Sequence, residues 1–304
     1  MPASKDRLVR TLVEDPPIRM VSLQATATVA EAARRHALGP WFTVALGRGL
    51  CAGLLMTTLT KGNERVTLQV RGGGLITGLT VDANDLGEVR GFVTGRQPLR
   101  VIRPGTRADL QVALGEQGQV IVHRDLGLKE LYEGAAELTT GQVDADFEHY
   151  LNVSEQTPSV LRTEVLLDEQ GGVRWAGGLL VQTTPGATAE ALAPLAARVA
   201  EGWVIETLAE APDESEALSA LVGQPVQTLE WRQVRFHCPC DAHRVGVALR
   251  TLGLEELREM RATEGRAEVT CHFCGDVHEV DAEALDRLID ELADQAGSPS
   301  GASS

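Results

Sequence analysis

Four of the five cysteines of this 304-residue chain lie in its last quarter, in two closely spaced pairs. Cys238 and Cys240 form a C-x-C pair, and Cys271 and Cys274 form a C-x-x-C pair that follows after 30 intervening residues. Together the pairs supply four soft thiolates, the ligand set that Zn²⁺ prefers at a tetrahedral site. The spacing therefore predicts one zinc ion bound by these four side chains.

Additional metal ligands and other functions of these cysteines remain possible at this point. Four nearby histidines are potential ligands, although we expect them only to flank a complete set of thiolates: His237, His243, His272 and His278. The zinc site could be a purely structural staple in a constitutive binding module. The C-x-x-C pair could instead serve a thiol oxidoreductase, but it does not begin a βαβ helix, where such enzymes carry it. Cys51 lies in an apolar stretch, so we expect a buried, inert thiol.

The charge of the chain is unevenly distributed. Residues 1–184 carry a net charge of -2, residues 185–232 carry -6 and residues 233–304 carry -7, which gives -15 in total. So acidic a chain is repelled by phosphate backbones and anionic lipids, which argues against a nucleic acid or membrane partner. Charges and Pro16-Pro17 interrupt the first 20 residues, so no export signal is recognisable and a cytoplasmic protein is expected.

Runs of helices and runs of strands, rather than strict alternation, predict an α+β fold. Thr28 and Glu31 match a capping box at the start of a first helix. The apolar stretch from Trp41 to Leu59 predicts a buried second helix, because three glycines and Arg48 interrupt it. Alternating and continuous apolar runs between residues 65 and 182 predict six strands, with a helix from Asp144 to Val153 before the last two.

A composition change at Pro185 marks a second region. Residues 187–200 and 213–221 predict two helices, the first interrupted by Pro194. This acidic, Ala-rich region is typical of a helical linker that needs a surface on which to lie. The last ten residues, 295–304, are mostly Gly, Ser, Ala and Pro and predict a disordered tail.

The cysteine pattern and several upstream segments resemble the 33-kilodalton heat-shock chaperone family. Phe236-His-Cys-Pro-Cys240, followed after 30 residues by Cys271-His-Phe-Cys-Gly275, resembles its redox-switch motif. Four further segments resemble family segments, in the same order: Leu68 to Asn84, Val89-Arg-Gly-Phe92, Ser154-Glu-Gln-Thr-Pro158 and Ala176-Gly-Gly-Leu-Leu-Val-Gln182. The resemblance spans about residues 5–290.

This resemblance implies an architecture and an activity. The architecture is an N-terminal mixed α/β chaperone domain (1–184), a helical linker (185–232), a small four-cysteine zinc domain (233–294) and the tail. The activity is that of a redox-activated, ATP-independent holdase and not of an enzyme. The reduced, zinc-bound form is expected to be inactive. The oxidised form is expected to lose zinc, unfold its C-terminal part, dimerise and hold unfolding client proteins.

The same resemblance assigns roles to particular residues. Oxidation is expected to join Cys238 to Cys240 and Cys271 to Cys274, because each pair holds a resolving thiol at short range. Loss of zinc should then unfold the zinc domain and release the linker. The apolar linker residues expected to contact clients are Leu192, Leu195, Val199, Trp203, Val204, Ile205 and Leu208.

Overall fold

The computed structural model of the protein describes residues 6–59, 65–125, 132–211 and 213–297. The described residues form two compact units, which are divided in the sequence between His237 and Cys238. Most of the predicted disordered tail lies outside the described residues, apart from the backbone of residues 295–297. Helices and strands are both abundant, so the prediction of an α+β fold is confirmed.

The elements are numbered here in chain order. The strands are β1 (Arg7–Val13), β2 (Ile18–Gln24), β3 (Arg65–Gly72), β4 (Ile76–Asn84), β5 (Glu88–Gly95), β6 (Gly118–Asp125), β7 (Tyr132–Glu137), β8 (Ser159–Leu167), β9 (Val173–Thr183), β10 (Gln227–Gln233), β11 (Arg235–Phe236), β12 (Ala267–Thr270) and β13 (Val277–Val280). The helices are α1 (Thr26–Arg35), α2 (Pro40–Met56), α3 (Gln111–Leu114), α4 (Val143–Val153), α5 (Ala193–Ala200), α6 (Glu214–Val222), α7 (Ala242–Arg250), α8 (Leu254–Thr263) and α9 (Ala282–Gly297).

Two sheets build the first unit. One has the order β10-β1-β2-β9-β8 and is antiparallel throughout. The other has the order β11-β5-β4-β3-β6-β7, and only its β11–β5 pair is parallel. The segment from β10 to β11 therefore adds an edge strand first to one sheet and then to the other.

Helix α2 packs against strands of both sheets and forms the centre of the main core. A β-carbon at Gly49 would lie 2.7 Å from a Leu79 methyl group, and one at Gly53 would lie 2.8 Å from a Val81 methyl group. The two glycines thus let α2 approach β4 closely. Residues 40–59 pass a length and hydropathy test for a membrane span, yet 89% of the most apolar window is buried inside the protein, as in a core helix.

The buried arginine of α2 is held by hydrogen bonds. Arg48 donates to the Ala108 carbonyl at 2.9 Å and to Gln142 Oε1 at 3.0 Å, and it lies 3.4 Å from the Glu164 carboxylate. Burial lowers the pKa of Arg48 to about 10, so the guanidinium remains charged at neutral pH. A buried charge in α2 is tolerated because the surrounding core supplies hydrogen-bond partners for it.

Helix α1 begins differently from the prediction. It starts at Thr26, and Thr28 lies inside its first turn instead of capping it. The cap comes from Asp6, whose carboxylate accepts the backbone N–H of Thr28 at 2.6 Å and its hydroxyl at 2.7 Å. The capping-box prediction was therefore wrong, because a carboxylate from outside the helix satisfies the N-terminal donors.

The linker also differs from its predicted form at one point. Pro194 was expected to interrupt a helix, but α5 begins at Ala193 and places the proline in its first turn. Proline is tolerated there because the first-turn N–H groups have no partner within the helix. The second predicted linker helix is present as α6, with Asp213 as its side-chain cap and Gly223 ending it at φ +76°.

Candidate metal centre and linker surface

The second unit brings the two cysteine pairs together. The sulfur atoms of Cys238, Cys240, Cys271 and Cys274 all lie within 4.8 Å of one another. The Sγ atoms of Cys238 and Cys271 are 3.8 Å apart, and those of Cys240 and Cys274 are 3.3 Å apart. Four sulfurs that each lie about 2.3 Å from a tetrahedral ion are separated by about 3.8 Å. The cluster therefore has the size of a four-thiolate metal site.

Local turns present the sulfurs. The second pair lies between β12 and β13, where the Gly275 N–H donates to the Cys271 carbonyl at 2.8 Å. Gly275 has φ +73°, a conformation that favours glycine. The first pair precedes α7, which Asp241 caps by accepting the Arg244 N–H at 2.8 Å. A turn at Gly275 thus follows the C-x-x-C pair, and α7 follows directly from the C-x-C pair.

Burial keeps the thiols of the cluster protonated when no cation is bound. Burial raises the pKa of the Cys240 thiol to about 11 and raises that of Cys274 above its usual range as well. A backbone hydrogen bond from Asp276 partly opposes the rise at Cys274. Without a cation, crowded thiols therefore retain their protons, whereas a divalent ion would stabilise the thiolates. The four residues fit a metal ion.

The core of the second unit is small. Six buried apolar side chains form it: Val245, Leu249, Leu257, Ala267, Leu285 and Leu288. A core of this size stabilises a fold only weakly, and small domains of this kind are commonly held by a metal. A metal at the four cysteines would supply the missing stability.

The histidines do not join the cluster. Within the described residues, the one group of side chains positioned to share a metal ion consists of the four cysteines. His237 belongs to the first unit, where its Nε2 lies 3.9 Å from a Glu88 carboxylate oxygen. This arrangement supports the expectation that the histidines flank a complete set of thiolates.

Cys51 has the environment expected of an inert thiol. Its side chain in α2 is 0% exposed and belongs to the main core. Burial raises the pKa of this thiol far above its usual range, so it stays protonated.

The apolar linker residues are buried in the first unit. Six of the seven predicted positions have at most 6% exposure: Leu192, Leu195, Val199, Trp203, Val204 and Leu208. The side chain of the seventh, Ile205, lies outside the described part of the chain. The six form a second core cluster, distinct from the one around α2. The linker is thus a docked element in this state.

The surface under the linker was missed at the sequence level. It is formed by apolar residues of the first sheet, among them Met20 of β2 and Leu179 and Val181 of β9. The nearly continuous apolar run of β9 was an available signal, because a strand buried on both faces has such a run. Strand β9 contacts α2, and it also contributes Leu179 and Val181 to the cluster that contains the linker residues.

Comparison with known proteins agrees with this architecture. The family model described as "Hsp33 protein" matches residues 6–281. The 33 kDa chaperonin of Bacillus subtilis is 34% identical over 287 residues, covering 94% of this chain and 99% of that protein. A 33 kDa chaperonin of Bacillus cereus is 37% identical over 293 residues, covering 95% and 100%.

A solved structure extends the agreement to three dimensions. The crystal structure of the 33 kDa chaperonin of Thermotoga maritima matches with a TM-score of 0.86 and 30% identity, covering 96% of this chain and all of that one. The chain therefore belongs to the Hsp33 family, a family of client-binding chaperones and not of enzymes.

Proposed function

We propose that this protein is a cytoplasmic, ATP-independent holdase that oxidation activates. In the reduced form, one Zn²⁺ bound by the four cysteines keeps the second unit folded and the linker docked. Oxidation releases the ion, unfolds the second unit and the linker, and exposes apolar surface that holds unfolding proteins. The active form is a homodimer, with no nucleic acid or membrane partner.

Zinc is the proposed metal because of the donor atoms. Four thiolates are soft ligands, and a closed tetrahedral set of four is typical of structural zinc. Oxygen-seeking cations such as Mg²⁺ and Ca²⁺ do not favour this set.

The proposed switch is the chemistry of the cysteines. A thiolate attacks hydrogen peroxide, which leaves a sulfenic acid and releases hydroxide. A neighbouring thiol then attacks this sulfur, so that an S–S bond forms and water leaves. We assign the products to the pairs Cys238–Cys240 and Cys271–Cys274, whose members are near neighbours in sequence. Each disulfide removes two ligands from the site.

Loss of the metal would affect the linker because the linker is connected along the chain to the second unit. Metal binding contributes on the order of 10 kcal/mol or more to the folding of a small structural zinc domain, so its loss should unfold the second unit. Only residues 233–237, which include β11, separate the end of the linker from Cys238, the first residue of this unit. The linker's net charge of -6 favours release through self-repulsion and helps keep the opened form soluble.

The single observation that carries the proposal is the docking of the linker. A segment of acidic composition buries six apolar side chains on a sheet and ends, in the sequence, six residues before the first of the four clustered cysteines. Release of the linker would expose both its six apolar side chains and the sheet surface beneath them. Contiguous apolar surface of this kind binds unfolded chains.

The test is to treat the reduced, zinc-loaded protein with peroxide and a zinc-sensitive dye while following aggregation of a thermally unfolding protein. Zinc release with a gain of aggregation suppression is expected.

Cys271→Ser should give partial suppression even under reducing conditions, because it removes one ligand. Zinc release with loss of function alone would favour the structural staple. Catalytic turnover of a disulfide substrate would favour an oxidoreductase. Disulfide mapping checks the pairing, since sulfur atoms of different pairs also lie close together, at 3.8 Å for Cys238 and Cys271 and 3.3 Å for Cys240 and Cys274.

A further inference from the structure

The loop of residues 96–107, from here on the arginine loop, exposes large apolar side chains in an ordered part of the first unit. Leu99 is 102% exposed and Val101 is 89% exposed, the highest values for large apolar residues among those described. The two side chains stand two positions apart in one segment. Contiguous exposed apolar surface is a feature of sites that contact other proteins.

The arginine loop also reverses the prevailing charge of the chain. It contains four arginines and no acidic residue, whereas the whole chain carries -15. Arg107 turns inward and pairs with Asp144 at 2.9 Å. Arg96, Arg100 and Arg103 are exposed, and none of them forms an ion pair within the described residues. Three unpaired cations therefore surround the two apolar side chains.

Acidic groups lie nearby but leave the loop positive. Arg100 and Val101 line a groove of about 320 Å³ that Asp168 and Glu169 also line. The Asp168 carboxylate already accepts two backbone N–H groups of its own turn, at 2.9 and 2.8 Å. Glu169 lines the same groove and is exposed. The three guanidiniums of the loop outnumber these two carboxylates, so the local charge remains positive.

The loop is held in place before any partner arrives. The Arg96 N–H donates to the Leu75 carbonyl at 2.7 Å, and the Trp41 indole N–H donates to the Arg100 carbonyl at 2.6 Å. A partner that binds an anchored loop loses less conformational entropy in ordering it.

We propose that the arginine loop is a docking surface for unfolded client segments in which acidic residues flank apolar ones. The apolar residues would cover Leu99 and Val101, and the carboxylates would pair with Arg96, Arg100 and Arg103. The inference rests on the proposed holdase function for its partner class, but it requires neither oxidation nor metal loss. It gives the resting protein a weak, salt-sensitive first contact with clients.

The test uses fluorescence anisotropy of labelled peptides with the reduced, zinc-loaded full-length protein. One peptide alternates Leu and Val with Glu, a second replaces Glu by Lys, and a third replaces Leu and Val by Ser. Only the first should bind. Arg100→Ser/Arg103→Ser should weaken it about fivefold, as expected for two exposed ion pairs. Leu99→Ser/Val101→Ser should weaken it about tenfold.

Matched variants control for general effects of charge and surface. Arg71→Ser/Arg258→Ser removes two exposed arginines elsewhere, and Leu86→Ser/Val153→Ser removes two apolar side chains that are 65% and 58% exposed. Both should bind the first peptide like the unmodified protein. All eight substituted side chains are exposed, so far-ultraviolet circular dichroism should show one common fold.

Three outcomes would overturn the proposal. Equal binding by loop and control variants would exclude the loop, and equal binding of the Lys peptide would exclude the charge argument. Binding of a single-stranded oligonucleotide that Leu99→Ser/Val101→Ser leaves unchanged would make the loop a general polyanion site. Aggregation suppression by the oxidised loop variants is measured separately, so a failure of the holdase function is distinguishable from a failure of the loop.

Discussion

Arg7 Nε of β1 lies 2.8 Å from Glu214 Oε2, at the first turn of α6, and this ion pair joins the linker to the first sheet. The Glu214 side chain is 3% exposed, whereas that of Arg7 is 41% exposed. Burial raises the pKa of Glu214 although Arg7 opposes the rise, and Asp213 adds to it. Docking of the linker therefore buries a carboxylate whose ionised form is unfavourable at that position.

This relationship predicts a pH-dependent linker. Because the folded pKa of Glu214 lies above its ordinary value of 4.5, its contribution to docking is fully present below that value and is lost as pH rises through the folded pKa. Glu214→Gln should remove this pH dependence. In this variant the linker should dock at least as tightly at neutral pH, since the half-exposed guanidinium of Arg7 can be solvated by water instead. The measurement is hydrogen exchange of α6 amides across pH, corrected for intrinsic rates.

The neighbouring exposed acid provides the control for that experiment. Glu216 lies in the same turn of α6 and faces solvent, so Glu216→Gln should retain the pH dependence of the unmodified protein. A Glu214→Gln protein with an unchanged pH slope would show that another group controls docking.

The second prediction concerns the metal. The reduced protein should bind one Zn²⁺ per chain, and X-ray absorption should report four sulfur ligands at about 2.3 Å. His243→Ala should leave zinc content and the sulfur count unchanged. A chelator should abolish amide protection in α7, α8 and α9, because the small core depends on the metal. A nitrogen ligand in the spectrum would show the ligand set to be wrong.

The metal centre was predictable from the sequence because its information is local. Two pairs of cysteines specify four ligands by residue type and spacing, and the turn at Gly275 follows from the same segment. The central helix was also predictable, since its apolar stretch exceeds any strand length. The reason for its glycines was not, because close approach to β4 is a tertiary property.

The sequence analysis missed seven of the thirteen strands in the described residues, and four of these were missed for a related reason. β1, β2, β7 and β10 interleave charged or small residues with apolar ones, and β10 buries little of its surface. Their stability comes from pairing with distant strands, such as β1 with β10, which no local pattern reports. The docking surface of the linker was hidden in the same way, because it is assembled from strands that are far apart in the chain.

The third prediction separates Cys51 from the switch. Cys51→Ser should retain zinc binding and oxidative activation, because this thiol is buried and its raised pKa keeps it protonated. The substituted hydroxyl would be buried among apolar groups, so the melting temperature should fall by an amount that corresponds to about 1–3 kcal/mol. Cys51→Ala serves as the control without a buried hydroxyl. Loss of activation in both variants would place Cys51 in the redox mechanism.

The last prediction tests whether release of the linker is sufficient for activity. Leu208 is 0% exposed in the linker cluster, so Leu208→Ala should weaken docking by about 2–5 kcal/mol. The variant should suppress aggregation under reducing conditions while it keeps its zinc, because the cysteines are untouched. Leu229→Ala, at a linker position that is 50% exposed, is the matched control and should stay inactive until oxidised. Hydrogen exchange should show faster exchange in α5 and α6 of the Leu208→Ala protein and unchanged protection in α2. If those linker amides exchanged freely and the reduced protein still failed to suppress aggregation, linker release alone would not create the client surface, and unfolding of the second unit would have to contribute to it directly.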